Sequence, residues 1–347
     1  MNLSRRKKEF IFKDDRPFNS CHASTLVLLP EGEILAAWFG GSEEGAEDVA
    51  IWTARRSEGK WSEPVKTADK EGIPHWNPVL FKDNSDQIYL FYKIGYKIPE
   101  WRTMIMKSDD GYSWSEPEPL VKGDRGGRGP VRNKPIILQN GTWLAPASIE
   151  TEDSWDAFVD ISRDRGQTWE KSQMVPKEAG SKFTENENIN TDIPVTDQSF
   201  QGKGVIQPTL WESNPGQVHM LLRSTEGCIY RSDSEDGGKT WCPAYPTELS
   251  NNNSGIDLTK LDDGTLVLAY NPVGENWGPR TPLVLSVSVD NGETWKKLYI
   301  MEDNEGEYSY PAIISNKNEI YVTYTWKRER IAFWKIERGA INNGKNR

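Results

Sequence analysis

Residues able to grip an acid or move a proton recur at comparable points along this chain, each just before an apolar run or just after one. They are His22, Glu44 and Asp48, then His75 and Trp76, then Arg132, Gln207 and Arg223, then Asp257, Arg280, Tyr308, Tyr310 and Arg328. Arginine suits a carboxylate ligand, because its planar fork donates two parallel hydrogen bonds. Arg132 follows Gly126-Gly127-Arg128-Gly129, where glycines let the backbone turn tightly. Arg223 closes the apolar stretch Leu221-Leu222-Arg223, a costly place for a cation without an anionic partner. A phenol with a nearby carboxylate and a second carboxylic acid can cleave a glycosidic bond. A histidine beside a phenol and an arginine can instead remove a proton next to a carboxylate. The expected catalytic set is Tyr308, Asp48, Glu44, His22 and His75; the expected binding set is Arg132, Arg223, Arg280, Gln207, Asp257, Trp76, Tyr310 and Arg328. Structural readings stand beside these: a solvated acidic loop for residues 43–48, a strand cap for His75, and packed aromatics for the two tyrosines.

The elements that must position these residues are marked by a repeated turn. Ser288-Val289-Asp290-Asn291-Gly292-Glu293-Thr294-Trp295 recurs at 162–169 and 234–241, with a weakened copy at 107–114 and a shortened one ending at Trp61. The aspartate can accept amide hydrogen bonds from its own loop, and glycine supplies the positive φ that closes it. Trp61, Trp114, Trp169, Trp241 and Trp295 end these turns, 53, 55, 72 and 54 residues apart. A period of that length implies a propeller or an array.

Three apolar runs precede each turn, and a hairpin signal such as Asn140-Gly141 or Asp262-Asp263-Gly264 separates the first run from the second. The expected fold is therefore all-β: a six-bladed β-propeller in a single domain over 1–347. Its blades fall near 20–65, 75–118, 132–172, 204–245, 254–299 and 308–340, with residues 9–12 supplying an outer strand that closes the ring. Radial packing of such sheets protects their edges. In a four-stranded blade the hairpins and aspartate turns share the far rim, so the start of each first run and the loop after each second run face the pocket. The long spacing comes from a polar insertion at 172–202 with Asn186, Asn188 and Asn190, which reads as a lid or as a surface excursion.

Composition fits a single large domain of 347 residues with fifteen tryptophans and twelve tyrosines. A net charge of −10 argues against nucleic acid and anionic membranes as partners. Three irregular cysteines give no disulfide framework, and three scattered histidines give no metal-ligand set, so neither metal nor cofactor is expected. After Arg5-Arg6-Lys7-Lys8 no apolar stretch long enough for a signal peptide follows, which reads as cytoplasmic, or as secreted if a leader has been removed.

The Ser-x-Asp-x-Gly-x-Thr-Trp turns resemble the Asp-boxes of the sialidase (neuraminidase) superfamily, and the chain looks like its BNR-repeat branch. The resemblance implies arginines gripping a substrate carboxylate, an aspartate acid/base, and a tyrosine nucleophile activated by a glutamate. It maps the nucleophile onto Tyr308, two of the arginines onto Arg223 and Arg280, and the acid/base onto Asp48 or a neighbouring glutamate. Two positions depart from the pattern. His22-Ala23-Ser24 stands where the family opens its first inner strand with Arg-Ile-Pro, and Gln207 stands where its activating glutamate belongs.

These readings together imply a sialidase-like exo-glycoside hydrolase acting on an acidic oligosaccharide or glycoside. The alternatives are a lyase acting on a uronate with a histidine base, and a non-catalytic carbohydrate-binding propeller.

Overall fold

Strands that are apolar on both faces alternate with strands that are polar on one, and this sorts inner from outer positions in every sheet. Ile34–Gly41 is buried at every residue, whereas Leu3–Phe10 is exposed along most of its length. A strand buried on both faces must be covered by neighbouring sheets, which a ring of sheets provides. The computed structural model describes residues 3–124, 126–177 and 202–339. Most of the polar insertion at 172–202, Asn186, Asn188 and Asn190 included, lies outside the described residues.

The chain is an all-β propeller, but six separate blades are not what its hydrogen bonds make. Four sheets are self-contained blades. One joins Ser20–Leu28, Ile34–Gly41, Ala50–Ser57, Lys60–Trp61 and Val65–Ala68. The next joins His75–Lys82, Ile88–Ile94, Arg102–Ser108 and Glu118–Pro119. A third joins Asp257–Lys260, Leu266–Tyr270, Leu283–Ser288 and Lys296–Glu302. The last pairs the N-terminal strand Leu3–Phe10 with Arg330–Arg338, followed by Glu319–Trp326 and Tyr308–Asn316, so the two ends of the described chain meet in one blade.

The correction concerns the third and fourth units. They form one eight-stranded sheet, because Ser154 and Trp155 pair in parallel with Lys203 and Gly204. The approach is close: a Cβ at residue 204 would sit 2.1 Å from the Trp155 carbonyl oxygen, so only glycine fits. A repeat in the sequence locates units but says nothing about a backbone contact between two of them.

Apolar clusters fill the gaps between successive units all the way round. Leu80 and Leu90 pack with Val27 and Phe39, Trp143 with Phe81, and Val205 with Val159. Leu258 packs with Leu221, Ile313 with Val267, and Phe333 with Trp38. Losing one such aliphatic side chain costs about 2–5 kcal/mol. At the axis the Asp257 carboxylate accepts from Lys134 Nζ (2.8 Å), Thr209 Oγ1 (2.8 Å) and the Ile313 amide (2.9 Å), tying together three inner strands and the segment that leads into a fourth.

The aspartate turns are built as their composition implies. Asp290 accepts from the Thr294 amide (3.0 Å) and the Ser288 hydroxyl (2.6 Å), while Trp295 donates its indole N–H to Gly292 O (3.1 Å). In the weakened copy the acceptor is Asp110, which holds the Tyr112 and Ser113 amides at 2.8 Å.

Candidate functional site

Four inner strands break register at the same point. The shifts lie between His22 and Thr25, Trp76 and Val79, Ile206 and Thr209, and Ser309 and Ala312. Within each lies a residue in the left-handed region: Ala23 at φ 54°, Asn77 at 41°, Gln207 at 51° and Tyr310 at 52°. A bulge re-aims the side chain it carries, and a left-handed residue other than glycine costs roughly 1–3 kcal/mol, strain that collects at functional sites. Asn77, Gln207 and Tyr310 accordingly line one pocket near the axis.

Tyr310 is its centre. Its hydroxyl accepts from Arg223 Nη1 at 2.8 Å, and the same nitrogen donates to Gln207 Oε1 at 3.1 Å. Arg223 Nε donates to Asn253 Oδ1 at 2.9 Å. Among the described residues Arg223 makes no ion pair with a carboxylate, although it is 2 % exposed. Its charge lies over the rings of Trp277 and Tyr310, 5.7 Å from each centroid. The His22 ring packs against Tyr310 on another side, and among the described residues its Nδ1 is buried without a hydrogen-bond partner, 4.0 Å from Glu307 Oε1. Burial first, and then the guanidinium of Arg328, hold the His22 imidazole well below its usual pKa, so it stays neutral.

Two further arginines are already balanced. Arg280 donates to Glu307 Oε1 at 2.7 Å, and Arg328 is held by both Glu307 and Glu44. Burial opposes ionisation of Glu307, but Arg280 and Arg328 outweigh it and keep the carboxyl far below the usual range. Glu150 behaves in the opposite way. Burial pushes its carboxyl up to about 7, against the pull of Arg223, Gln207 and Lys93. One wall of the pocket therefore holds a carboxylic acid that is half protonated near neutral pH.

Of the residues singled out from sequence, His22, Glu44, Trp76, Gln207, Arg223, Arg280, Tyr310 and Arg328 line this pocket. The others lie elsewhere. Tyr308 is 1 % exposed, packs in the core beside Trp326, and donates its hydroxyl to Glu305 O at 3.3 Å. Strand alternation alone would set Tyr308 and Tyr310 on one face; the bulge at Tyr310 separates them. Asp48 staples its own loop, accepting from the Ser42 amide at 2.9 Å and hydroxyl at 2.8 Å. The His75 ring stacks on Tyr92, with Nδ1 2.9 Å from Ile73 O and 3.0 Å from Val49 O. Asp257 is the axial tie. Arg132 lies beneath the pocket, donating to Pro311 O at 2.9 Å with its guanidinium 5.3 Å from the Tyr310 centroid, so it supports the tyrosine's backbone and ring.

Ile98, Trp101, Glu150 and Trp277 complete the lining beside Asn77, which the sequence places next to Trp76 before an inner strand, and the sequence reading passed over those four. Glu150 was within reach of it. It ends the second strand of its unit, the place that Arg223 holds in the next. Trp101 and Trp277 come from loops after second strands, where fifteen tryptophans in one chain hide the ones that matter.

A model of the BNR repeat-like domain matches residues 32–322. Among solved structures, a protein of unknown function from Dyadobacter fermentans matches with a TM-score of 0.72 at 16% identity, covering 96% of this chain and 98% of that one. The NanB sialidase from Streptococcus pneumoniae gives 0.69 at 14% identity, covering 95% of this chain and 70% of that one. Trypanosoma rangeli sialidase gives 0.71 at 14% identity, covering 95% of this chain and 59% of that one, so this chain spans about three fifths of its length. At such identities the likeness is one of fold. The relation is broad, to the sialidase fold as a whole. Among the described residues no helix is long and apolar enough to cross a membrane.

Proposed function

Since the chain belongs to the BNR repeat-like domain family, we propose that it is a carbohydrate-active enzyme cleaving a glycosidic bond beside a carboxylated sugar, by β-elimination on a uronate. The observation that carries this reading is the surroundings of the Tyr310 hydroxyl: a guanidinium at 2.8 Å, and next to it the amide of Gln207 in place of a carboxylate. A tyrosine nucleophile needs a base to take its proton. Neither an amide nor a cation can do so. An oxygen that already accepts from Arg223 keeps its own proton free for delivery, which suits a general acid.

Neutral His22 takes the proton on the carbon bearing the carboxylate. A double bond forms between that carbon and its neighbour, the neighbour's bond to the glycosidic oxygen breaks, and the leaving oxygen takes its proton from Tyr310. Arg223, which makes no ion pair among the described residues, receives the substrate carboxylate and the charge that develops there. Protonated Glu150 adds a donor in the same pocket. The sialidases among the similar structures further support an acidic sugar.

A second reading is favoured by Glu150 itself. A carboxyl pushed up to about 7 is a suitable general acid for hydrolysis, with water as nucleophile. Digestion of a panel of sialosides and uronate-containing oligosaccharides, read by mass spectrometry, separates the two. Elimination leaves an unsaturated, ultraviolet-absorbing sugar one water lighter than the hydrolytic product. Uncleaved panels with retained binding would instead support a carbohydrate-binding propeller.

A further inference from the structure

Next to the pocket lies a second, smaller chamber that shares Ile98, Trp101 and Glu150 with it and is also lined by Lys93 and Ser148. Its volume of about 10 Å³ is room for a single water, and a water there needs two or more polar partners. Lys93 and Glu150 both line it, from the second strands of adjoining units.

Lys93 is an unusual lysine. It is 1 % exposed, and among the described residues its ammonium makes a single hydrogen bond, to Arg128 O at 2.7 Å. A buried ammonium has three donors to satisfy, and leaving them idle is costly. Of the nearby carboxylates Asp160 is engaged and Asp124 only through one oxygen, its Oδ2 being buried without a partner among the described residues. Asp160 takes Arg128 Nε at 2.8 Å, and Asp124 Oδ1 takes the Gly126 amide at 2.9 Å.

We infer that Lys93 is a positioning residue for Glu150: one water in the shared chamber bridges its ammonium to the carboxyl and sets the pH at which Glu150 exchanges its proton. This deepens the reading above, in which Glu150 belongs to the reacting pocket. The charges that bear on each partner are few. Arg223 and Lys93 act on Glu150, with Gln207 as a neutral hydrogen-bond donor; Asp124, Asp160 and Glu150 act on Lys93. Burial lowers Lys93 to about 8, with Asp124, Asp160 and Glu150 opposing it.

The test reads the carboxylic-acid carbonyl band by infrared spectroscopy across pH, without substrate, with Glu150→Gln to identify the band. In the unaltered protein the band fades near pH 7. In Lys93→Met the fading moves up by about one pH unit or more, because the favourable charge on the ionised form is gone. Lys93→Arg, which keeps the charge, stays within a few tenths of the unaltered protein. Lys93→Gln, which keeps a polar head, gives the same upward shift if the Met variant does not fold. An unchanged midpoint in the neutral variants would overturn the inference and assign Lys93 to Asp124, whose Oδ2 is buried without a partner. Because no sugar is present, this outcome is independent of whether the cleavage reading stands.

Discussion

His22 and Tyr310 lie ring against ring, their centroids 4.2 Å apart and their planes tilted by 48°. The imidazole comes from the first inner strand and the phenol from the last, so this contact spans the seam where the ends of the described chain close the ring. It is held from both chains of residues: the Ala23 amide donates to Thr325 Oγ1 at 3.1 Å, and the Cys21 amide to Arg328 O at 2.8 Å.

Tyr310→Phe is expected to lower kcat by roughly 10²- to 10⁴-fold, the range of a lost proton donor, with ligand affinity kept within a few fold. His22→Gln follows the same pattern. Tyr308→Phe leaves turnover near that of the unaltered enzyme, because that hydroxyl meets only Glu305 O. Steady-state kinetics beside calorimetric binding checks all three, and a dead Tyr308→Phe with a live Tyr310→Phe would reverse the assignment.

Glu150 ties stability to pH with a definite sign. Its folded value, about 7, lies above the ordinary 4.5, so the folded chain binds the proton more tightly than the unfolded chain. The stability this supplies is complete below pH about 4.5 and is lost as pH rises to about 7. Glu150→Gln removes the loss, and is expected to gain about 1–3 kcal/mol relative to the unaltered protein above pH 7, measured by denaturant unfolding at pH 5 and pH 8. Equal changes at both pH values would mean that Glu150 ionises normally.

Arg223→Lys replaces a planar fork by a point charge. Charge-assisted hydrogen bonds contribute about 1.5–3 kcal/mol each, so the affinity for a uronate is expected to fall about tenfold to a hundredfold. Calorimetric titration with a uronate and with its neutral, reduced counterpart measures this. The neutral sugar is expected to lose little, and equal losses for both would show that Arg223 acts only through Tyr310.

Asp257→Ala tests the assignment of that carboxylate to the axis. Removing this buried carboxylate leaves the part-buried Lys134, the Thr209 hydroxyl and the Ile313 amide without their acceptor, which is expected to cost roughly 3–5 kcal/mol of unfolding free energy. A stable variant with lost turnover would return Asp257 to the reacting groups.

How much of this the sequence disclosed depends on which physical rule each residue obeys. The aspartate turns are local: Asp290 bonds within its own eight residues, so composition alone defines them. Inner-strand starts and second-strand ends follow from topology, and they delivered His22, Gln207, Arg223 and Tyr310. The miscount of separate blades came from Trp155 and Gly204, where a backbone pairing joins two units that the repeat treats as distinct. Tyr308 was named as nucleophile through the family resemblance of Glu307-Tyr308-Ser309; period-two alternation cannot separate it from Tyr310, and the bulge that does is a tertiary event. Glu150 was hidden for another reason. Its chemistry is made by burial beside Arg223, Gln207 and Lys93, which are distant in sequence.

Cleavage of a uronate-containing oligosaccharide in heavy-oxygen water tests the central reading most directly. Elimination breaks the bond without adding water. The account predicts an unsaturated uronate whose mass carries no heavy oxygen. Heavy oxygen at the newly formed anomeric hydroxyl, on a saturated sugar, would contradict it and make the protein a hydrolase.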